Sequence, residues 1–227
     1  MKTIAILASG PPRGNGRTRH LETFNGEPCI SHVIRNCLVE NVKISVIISN
    51  KNAKLKKYLL ENHQNVIILE TENDSMKTTY EVAFNQDNND TLIVAGDLWN
   101  LKKNNVVKFL NSKYKSALYR LKLPWGKNLV SKDKTLIRRG DIGDSLILIA
   151  NEHKKKYLSN ENIDKAIFYF KKFYPKQKFN INMGNHLWTW LDYVFFFEIS
   201  SSKSGVNDVG NERGSIYIED LVYLDND

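Results

Sequence analysis

The chain has 227 residues, 41% of them apolar and 11% aromatic, and carries a formal net charge of +8 at pH 7. That length fits one large α/β domain, that much apolar material excludes a disordered chain, and no apolar stretch reaches the roughly 18–20 residues of a membrane span. The charge is no nucleic-acid signature, because the lysines scatter over 43–67, 102–134 and 154–178 without an arginine-rich tract, a helix–turn–helix or a zinc pattern.

Residues 1–10 lack the anatomy of a signal peptide, so the cytoplasm is the expected compartment. Ile4 to Ala8 reads as a fully buried strand. It empties into Ser9-Gly10-Pro11-Pro12-Arg13, a turn of small, Gly and Pro residues followed by further arginines at 17 and 19. Small residues let a backbone approach a polyphosphate, exposed N–H groups in such a turn bind anions, and arginines neutralise what the turn cradles. This is a phosphate-holding loop by its chemistry, although a tight strand-to-helix turn would explain Gly10 without any ligand.

A helix is expected over 28–40, a second buried strand at Lys43–Ile48, a helix over 51–63 and a strand at Val66–Leu69. A helix from Met76 to Asn85 follows, capped by Asn73-Asp74-Ser75, and then a strand over 91–95. Apolar runs separated by helices predict a mostly parallel, Rossmann-like sheet with helices on both faces. Ligands in such sheets lie at the carboxyl ends of the strands, where both Gly10 and Asp97 fall. Asp97 has a blander reading as the N-cap of a helix beginning near Asn100 or Asn104. Cys29 and Cys37 stand about 12 Å apart along one helix face, too far for a disulfide, and read as inert thiols. His20, His32, His63, His153 and His186 lie far apart in sequence and read as surface or structural groups.

Beyond residue 100 the periodicity loosens. Lys115–Lys122 and Asp144–Ala150 read as strands, and Asn162–Phe173 as an amphipathic helix with Phe168, Tyr169, Phe170 and Phe173 mostly in the core. The 120–145 stretch, with Lys134, Arg138 and Arg139, reads either as loops over the sheet's active edge, of the kind that choose a second substrate, or as a solvated surface hairpin. A Ser/Gly/Asn-rich loop over 200–215 precedes a final strand, Ile216–Tyr223.

The order of these pieces resembles the nucleotidyltransferases of the sugar-nucleotide and molybdenum-cofactor guanylyltransferase type. Leu7-Ala8-Ser9-Gly10, Arg13, Arg19-His20-Leu21 and Gly26-Glu27-Pro28 stand where that family has Leu-Ala-Gly-Gly, an arginine, a basic residue before a leucine, and a Gly-x-Pro leading into a helix. Thr91 to Asp97 is similar to the strand that ends in the family's magnesium-binding aspartate, and Asn180-Ile181-Asn182 to its Asn-Ile-Asn. Pro12 replaces the glycine many relatives carry, and Arg19 stands in place of a lysine.

The resemblance implies a single domain of the nucleotide-diphospho-sugar transferase (GT-A) type, with residues 1–100 as the nucleotide-binding half and 101–227 as the acceptor half. It implies transfer of a nucleoside monophosphate from a triphosphate, CTP or GTP favoured, to a phosphorylated small acceptor such as a sugar phosphate, with release of pyrophosphate. Leu7, Ala8, Ser9, Gly10, Arg13, Arg17, Arg19, Asp97 and a hydroxyl on the third helix, Thr78 or Thr79, would line the nucleotide. Arg13, Arg19 and Asp97 would be catalytic, Asp97 and Asn182 would hold Mg²⁺, and Lys134, Arg138 and Arg139 would meet the acceptor. Neither nucleic acid nor membrane enters this reading, and a homodimer is left open. Two alternatives share the fold: a GT-A glycosyltransferase, which typically brings an Asp-x-Asp where this chain has Asp97-Leu98-Trp99, and a catalytically degenerate nucleotide-binding protein.

Overall fold

The buried apolar runs of the first hundred residues become the middle of one sheet. The computed structural model describes residues 2–10, 18–24, 26–72, 75–98, 101–111, 116–119, 129–130, 136–137, 146–173, 191, 194–195 and 215–217. In chain order the elements begin with β1 (Lys2–Ala8), a 3-10 turn at Arg19–Leu21, β2 (Thr23–Phe24), β3 (Glu27–Pro28) and α1 (Cys29–Cys37). Then come β4 (Lys43–Ser49), α2 (Ala53–Asn62), β5 (Ile67–Thr71), α3 (Met76–Asn85), β6 (Asp90–Ala95) and α4 (Lys103–Leu110). The rest are β7 (Ser116–Tyr119), β8 (Leu129–Val130), β9 (Leu136–Ile137), β10 (Leu146–Ile149), another 3-10 turn at Asn151–His153, α5 (Lys154–Tyr157), α6 (Asn160–Phe173) and β11 (Ser215–Tyr217).

Seven strands pair in the order β11, β7, β10, β6, β1, β4, β5. The run β6–β1–β4–β5 is parallel throughout, with Leu7 opposite Ala95 on one side and Ile47 on the other. Strand β10 is antiparallel to β6 and to β7, while β11 is parallel to β7. The fold is thus α/β with a mostly parallel sheet, as the sequence predicts. Strand alternation sorts the core into two layers. Ile4, Ile6, Ala8, Val46, Ile48, Leu92 and Val94 pack with residues of α1, α2 and α4 on one face. Ala5, Ile47, Ile93 and Ile147 pack with Tyr80, Phe84, Tyr157 and Ile163 on the other. Each buried Ile, Leu, Val or Phe among them stabilises the sheet by about 1.5–3 kcal/mol relative to exposure. No helix among the described residues is long and apolar enough to cross a membrane.

Several local expectations change. Helix α1 stops at Cys37, because Leu38 is extended and Asn41 takes a left-handed φ of 60°. The amide of Lys103, at the start of α4, donates to Asn36 Oδ1 of α1 at 3.0 Å, which ties these two helices together. Phe168 is a correction: it is 60% exposed, because the buried stripe of α6 runs through Ile163 and Ala166 and leaves 168 on the outer side. The side chains of Tyr169, Phe170 and Phe173 lie outside the described residues. Cys29 and Cys37 are free and fully buried. Burial, helped by Asp97 and Glu22, pushes the Cys29 thiol up to about 12, and burial raises Cys37 as well.

At the amino ends of the strands, Asp87 gathers Thr3 Oγ1 (2.9 Å), Lys43 Nζ (3.3 Å) and the Asn89 amide (3.0 Å), while Lys154 Nζ donates to its carbonyl at 3.1 Å. Burial alone would raise this carboxyl. The hydrogen bonds from Asn89, Thr3 and Lys43, with the lysine's charge, outweigh it and hold the pKa below the ordinary value. A depressed folded-state pKa stabilises above the unfolded value of about 3.9 and is lost as pH falls through the folded one. Asp87→Ala should therefore cost about 1.5–3 kcal/mol at pH 7, and the gap to the parent should close in urea melts below about pH 4. A gap of equal size at pH 7 and pH 2 would show that the ionised carboxylate is not its source.

Candidate functional site

The site is built where β1, β4 and β6 end side by side. Beyond the last ladder pair of β1 and β6, the Gly96 amide donates to Leu7 O at 2.8 Å. A Cβ on Gly96 would come within 2.8 Å of that oxygen and 3.1 Å of both Ala8 Cβ and His20 Cδ2, so the close approach requires glycine. Gly10 is exposed, and a Cβ there would meet only His20 Cε1, at 3.8 Å. The His20 ring thus has one edge against both glycines, and Nε2, bonded to both of those carbons, faces the seam between them. His20 is only 7% exposed, and its Nδ1 has no hydrogen-bond partner among the described residues. Burial holds its pKa below the ordinary value, with Asp97 and Glu22 opposing and Arg19 lowering it further.

The loop that leaves β1 is pinned at both ends. Ser9 is buried and its hydroxyl meets Thr79 Oγ1 of α3 at 2.6 Å. Thr79 already donates to Ser75 O at 3.0 Å, so Ser9 is the donor in this pair. Thr18, at the far end of the loop, donates to Asn52 Oδ1 at 3.2 Å. The same oxygen accepts the Leu55 amide at 3.3 Å and so caps α2. Next in the chain, Arg19 Nη1 reaches Asp97 Oδ2 at 2.6 Å, with the arginine half exposed and Asp97 largely covered. Asp97 is not the N-cap of α4, which begins at Lys103 behind Lys102.

Of the residues singled out from sequence, Leu7 and Ala8 end β1, Ser9 and Gly10 follow it, and Arg19 meets Asp97 just past the end of the adjacent β6. On α3 the hydroxyl bonded to Ser9 is that of Thr79 rather than Thr78. Arg13, Arg17, Lys134, Arg138, Arg139 and Asn182 lie outside the described residues. Sequence reasoning passed over His20, Thr18 and Asn52. The signal for the first was its place between Arg19 and Leu21, in a motif already counted as part of the site.

A divalent cation has a limited donor set here. Among the described residues no group of three His, Cys, Asp or Glu side chains converges. Asp97 offers one hard carboxylate, and a guanidinium already sits on its oxygen. One carboxylate suits Mg²⁺, which shares its octahedron with waters and substrate phosphates. The residues therefore fit a cation that arrives with a polyphosphate, held on the protein side by Asp97.

No family model matches the chain, and no curated protein matches it. Solved structures do. The 4-diphosphocytidyl-2C-methyl-D-erythritol synthase of Anaerococcus prevotii aligns over 100% of this chain and 94% of its own, at 12% identity and a TM-score of 0.52. A nucleotidyl transferase from Methanothermobacter aligns over 85% of this chain and 82% of its own, at 13% identity and a TM-score of 0.52. A Mycobacterium tuberculosis protein, Rv0371c, overlaps 53% of this chain and 65% of its own at 11% identity, with a TM-score of 0.45, too little to argue from. The sheet order, the helices on both faces and these two alignments agree: the chain has the nucleotidyltransferase-like fold.

Proposed function

We propose that the chain is a nucleotidyltransferase, moving a nucleoside monophosphate from a nucleoside triphosphate to a phosphorylated small acceptor. One observation carries this reading: Arg19 pairs with Asp97 just past the carboxyl end of β6, with Gly10 just past the end of the adjacent parallel strand β1, and the loop between Ser9 and Thr18 is anchored at both ends. In the reaction an acceptor phosphate oxygen bonds to the α-phosphorus, the bond to the β-phosphate breaks, and pyrophosphate leaves. Such chemistry asks the protein mainly for alignment and charge neutralisation. Gly10 would let the phosphates approach the backbone, and Arg19 would grip them bidentately. Asp97 would hold the metal on the protein side. A bound Mg²⁺ would neutralise the charge that develops on the phosphate oxygens.

The two halves stay unequal in support. The nucleotide half, 1–100, rests on the strand-end geometry. The acceptor half, with Lys134, Arg138 and Arg139 as phosphate contacts, rests on sequence. The Anaerococcus relative is by name a diphosphocytidyl-methylerythritol synthase, which makes CTP the first donor to test and GTP the second. A second reading, nucleotide binding without turnover, is favoured by the arginine seated on the Asp97 carboxylate.

The test is a screen of four triphosphates against sugar phosphates and small phosphate esters, with pyrophosphate detection. Turnover supports the transferase, binding without pyrophosphate release supports the second reading, and neither would overturn both. Arg19→Ala should weaken triphosphate binding about 1.5–3 kcal/mol, roughly 10–150-fold in titration calorimetry. Unchanged binding would reduce Arg19 to a partner of Asp97 alone.

A further inference from the structure

We propose that Arg19 and Asp97 form a gate that admits a divalent cation only together with the triphosphate. The inference rests on the nucleotidyltransferase reading above and deepens it. Its ground is the ion pair itself. Arg19 Nη1 sits 2.6 Å from Asp97 Oδ2, so a guanidinium charge stands against the carboxylate a metal would use. The carboxylate end of the pair is held: the Gly96 amide is fixed to Leu7 O, and the His20 ring packs against the same glycine. The arginine end is the adjustable one, with its side chain 50% exposed against 17% for Asp97.

A cation approaching the nucleotide-free protein meets a neutralised carboxylate and a positive charge beside it. It also finds no cluster of three acidic or histidine groups among the described residues to compensate. A triphosphate changes both sides of this balance. Its oxygens offer the guanidinium a bidentate partner of higher charge than one carboxylate. Once the arginine turns to the phosphates, Asp97 is exposed as a hard anionic ligand next to further phosphate oxygens, the arrangement Mg²⁺ prefers. By linkage, metal and nucleotide then each tighten the other's binding. A lysine in this place would present one compact charge, whereas the planar fork of arginine holds the carboxylate in a defined geometry.

The experiment is a Mn²⁺ titration, read by electron paramagnetic resonance, of the nucleotide-free full-length chain, its Arg19→Gln and Arg19→Lys variants, and the Arg19→Gln/Asp97→Asn double variant. Thermal melts confirm that each is folded. Removing the guanidinium should tighten Mn²⁺ binding at least about fivefold, the low end of ordinary coupling between sites. Arg19→Lys should fall between Arg19→Gln and the parent, and the double variant should lose the gain. Equal Mn²⁺ affinity in parent and Arg19→Gln, or a gain that survives Asp97→Asn, overturns the gate. Binding of a fluorescent triphosphate to the parent in EDTA is measured in parallel. Its failure would count against the nucleotide reading and leave the Mn²⁺ comparison intact, so the two failures are distinguishable.

Discussion

Asp97→Asn should lower divalent-dependent pyrophosphate release at least about 100-fold and leave the protein folded. The magnitude follows from ligand logic: changing a residue that only orients a metal ligand costs about 10–100-fold, and Asp97 would be the ligand itself. Asparagine keeps the shape and one oxygen but loses the charge that balances a divalent cation. The folded state should tolerate the change, because the partner lost, Arg19, is half exposed and such pairs contribute about 0–1 kcal/mol. The check is the dependence of initial rate on Mg²⁺ concentration, with a thermal melt of the same sample. A variant that keeps most of its rate and an unchanged metal dependence would remove Asp97 from the site.

The four parallel strands β1, β4, β5 and β6 were legible because each is a local apolar run, with a helix of matching period between it and the next. Their pairing follows from crossover rules and needs no long-range information. The second half does not read this way. Strand β10 slots between β6 and β7, and β11 joins β7 from about a hundred residues downstream, so their order depends on contacts that no window of sequence contains. The turn before α1 carries a signal that the sequence argument did not use: Gly26, with φ of 80°, lies between the paired Phe24 and Glu27 of the β2–β3 hairpin, a position that favours glycine.

The site divides along the same line. Gly10 and Asp97 could be brought together on paper because both close apolar strands. The pins could not. Nothing in the spacing of Ser9 and Thr79, or of Thr18 and Asn52, distinguishes these pairs from neighbours such as Thr78, because side-chain direction on a helix is settled by how α3 and α2 sit on the sheet. His20 was discounted as one of five scattered histidines. Its role as the wall against both strand-end glycines exists only once β1 and β6 are adjacent.

The two glycines should separate folding from ligand approach. In Gly96→Ala the new methyl would lie 2.8 Å from Leu7 O, a backbone atom of the central strand that also accepts the Gly96 amide, and 3.1 Å from Ala8 Cβ and His20 Cδ2. The strand cannot yield without breaking its register, so the strain should cost about 1–3 kcal/mol. For a chain of this size that lowers the melting temperature by roughly 2–12 °C. In Gly10→Ala the methyl finds only His20 Cε1 at 3.8 Å, an ordinary contact, so stability should stay within about 0.5 kcal/mol. Its effect should appear instead as weaker triphosphate binding, since a side chain then stands where phosphates approach the exposed loop backbone. Thermal melts and nucleotide titrations of the two variants provide the check. If Gly10→Ala melts early while Gly96→Ala does not, the opening loop is the structural turn and the β6 end is the adaptable one.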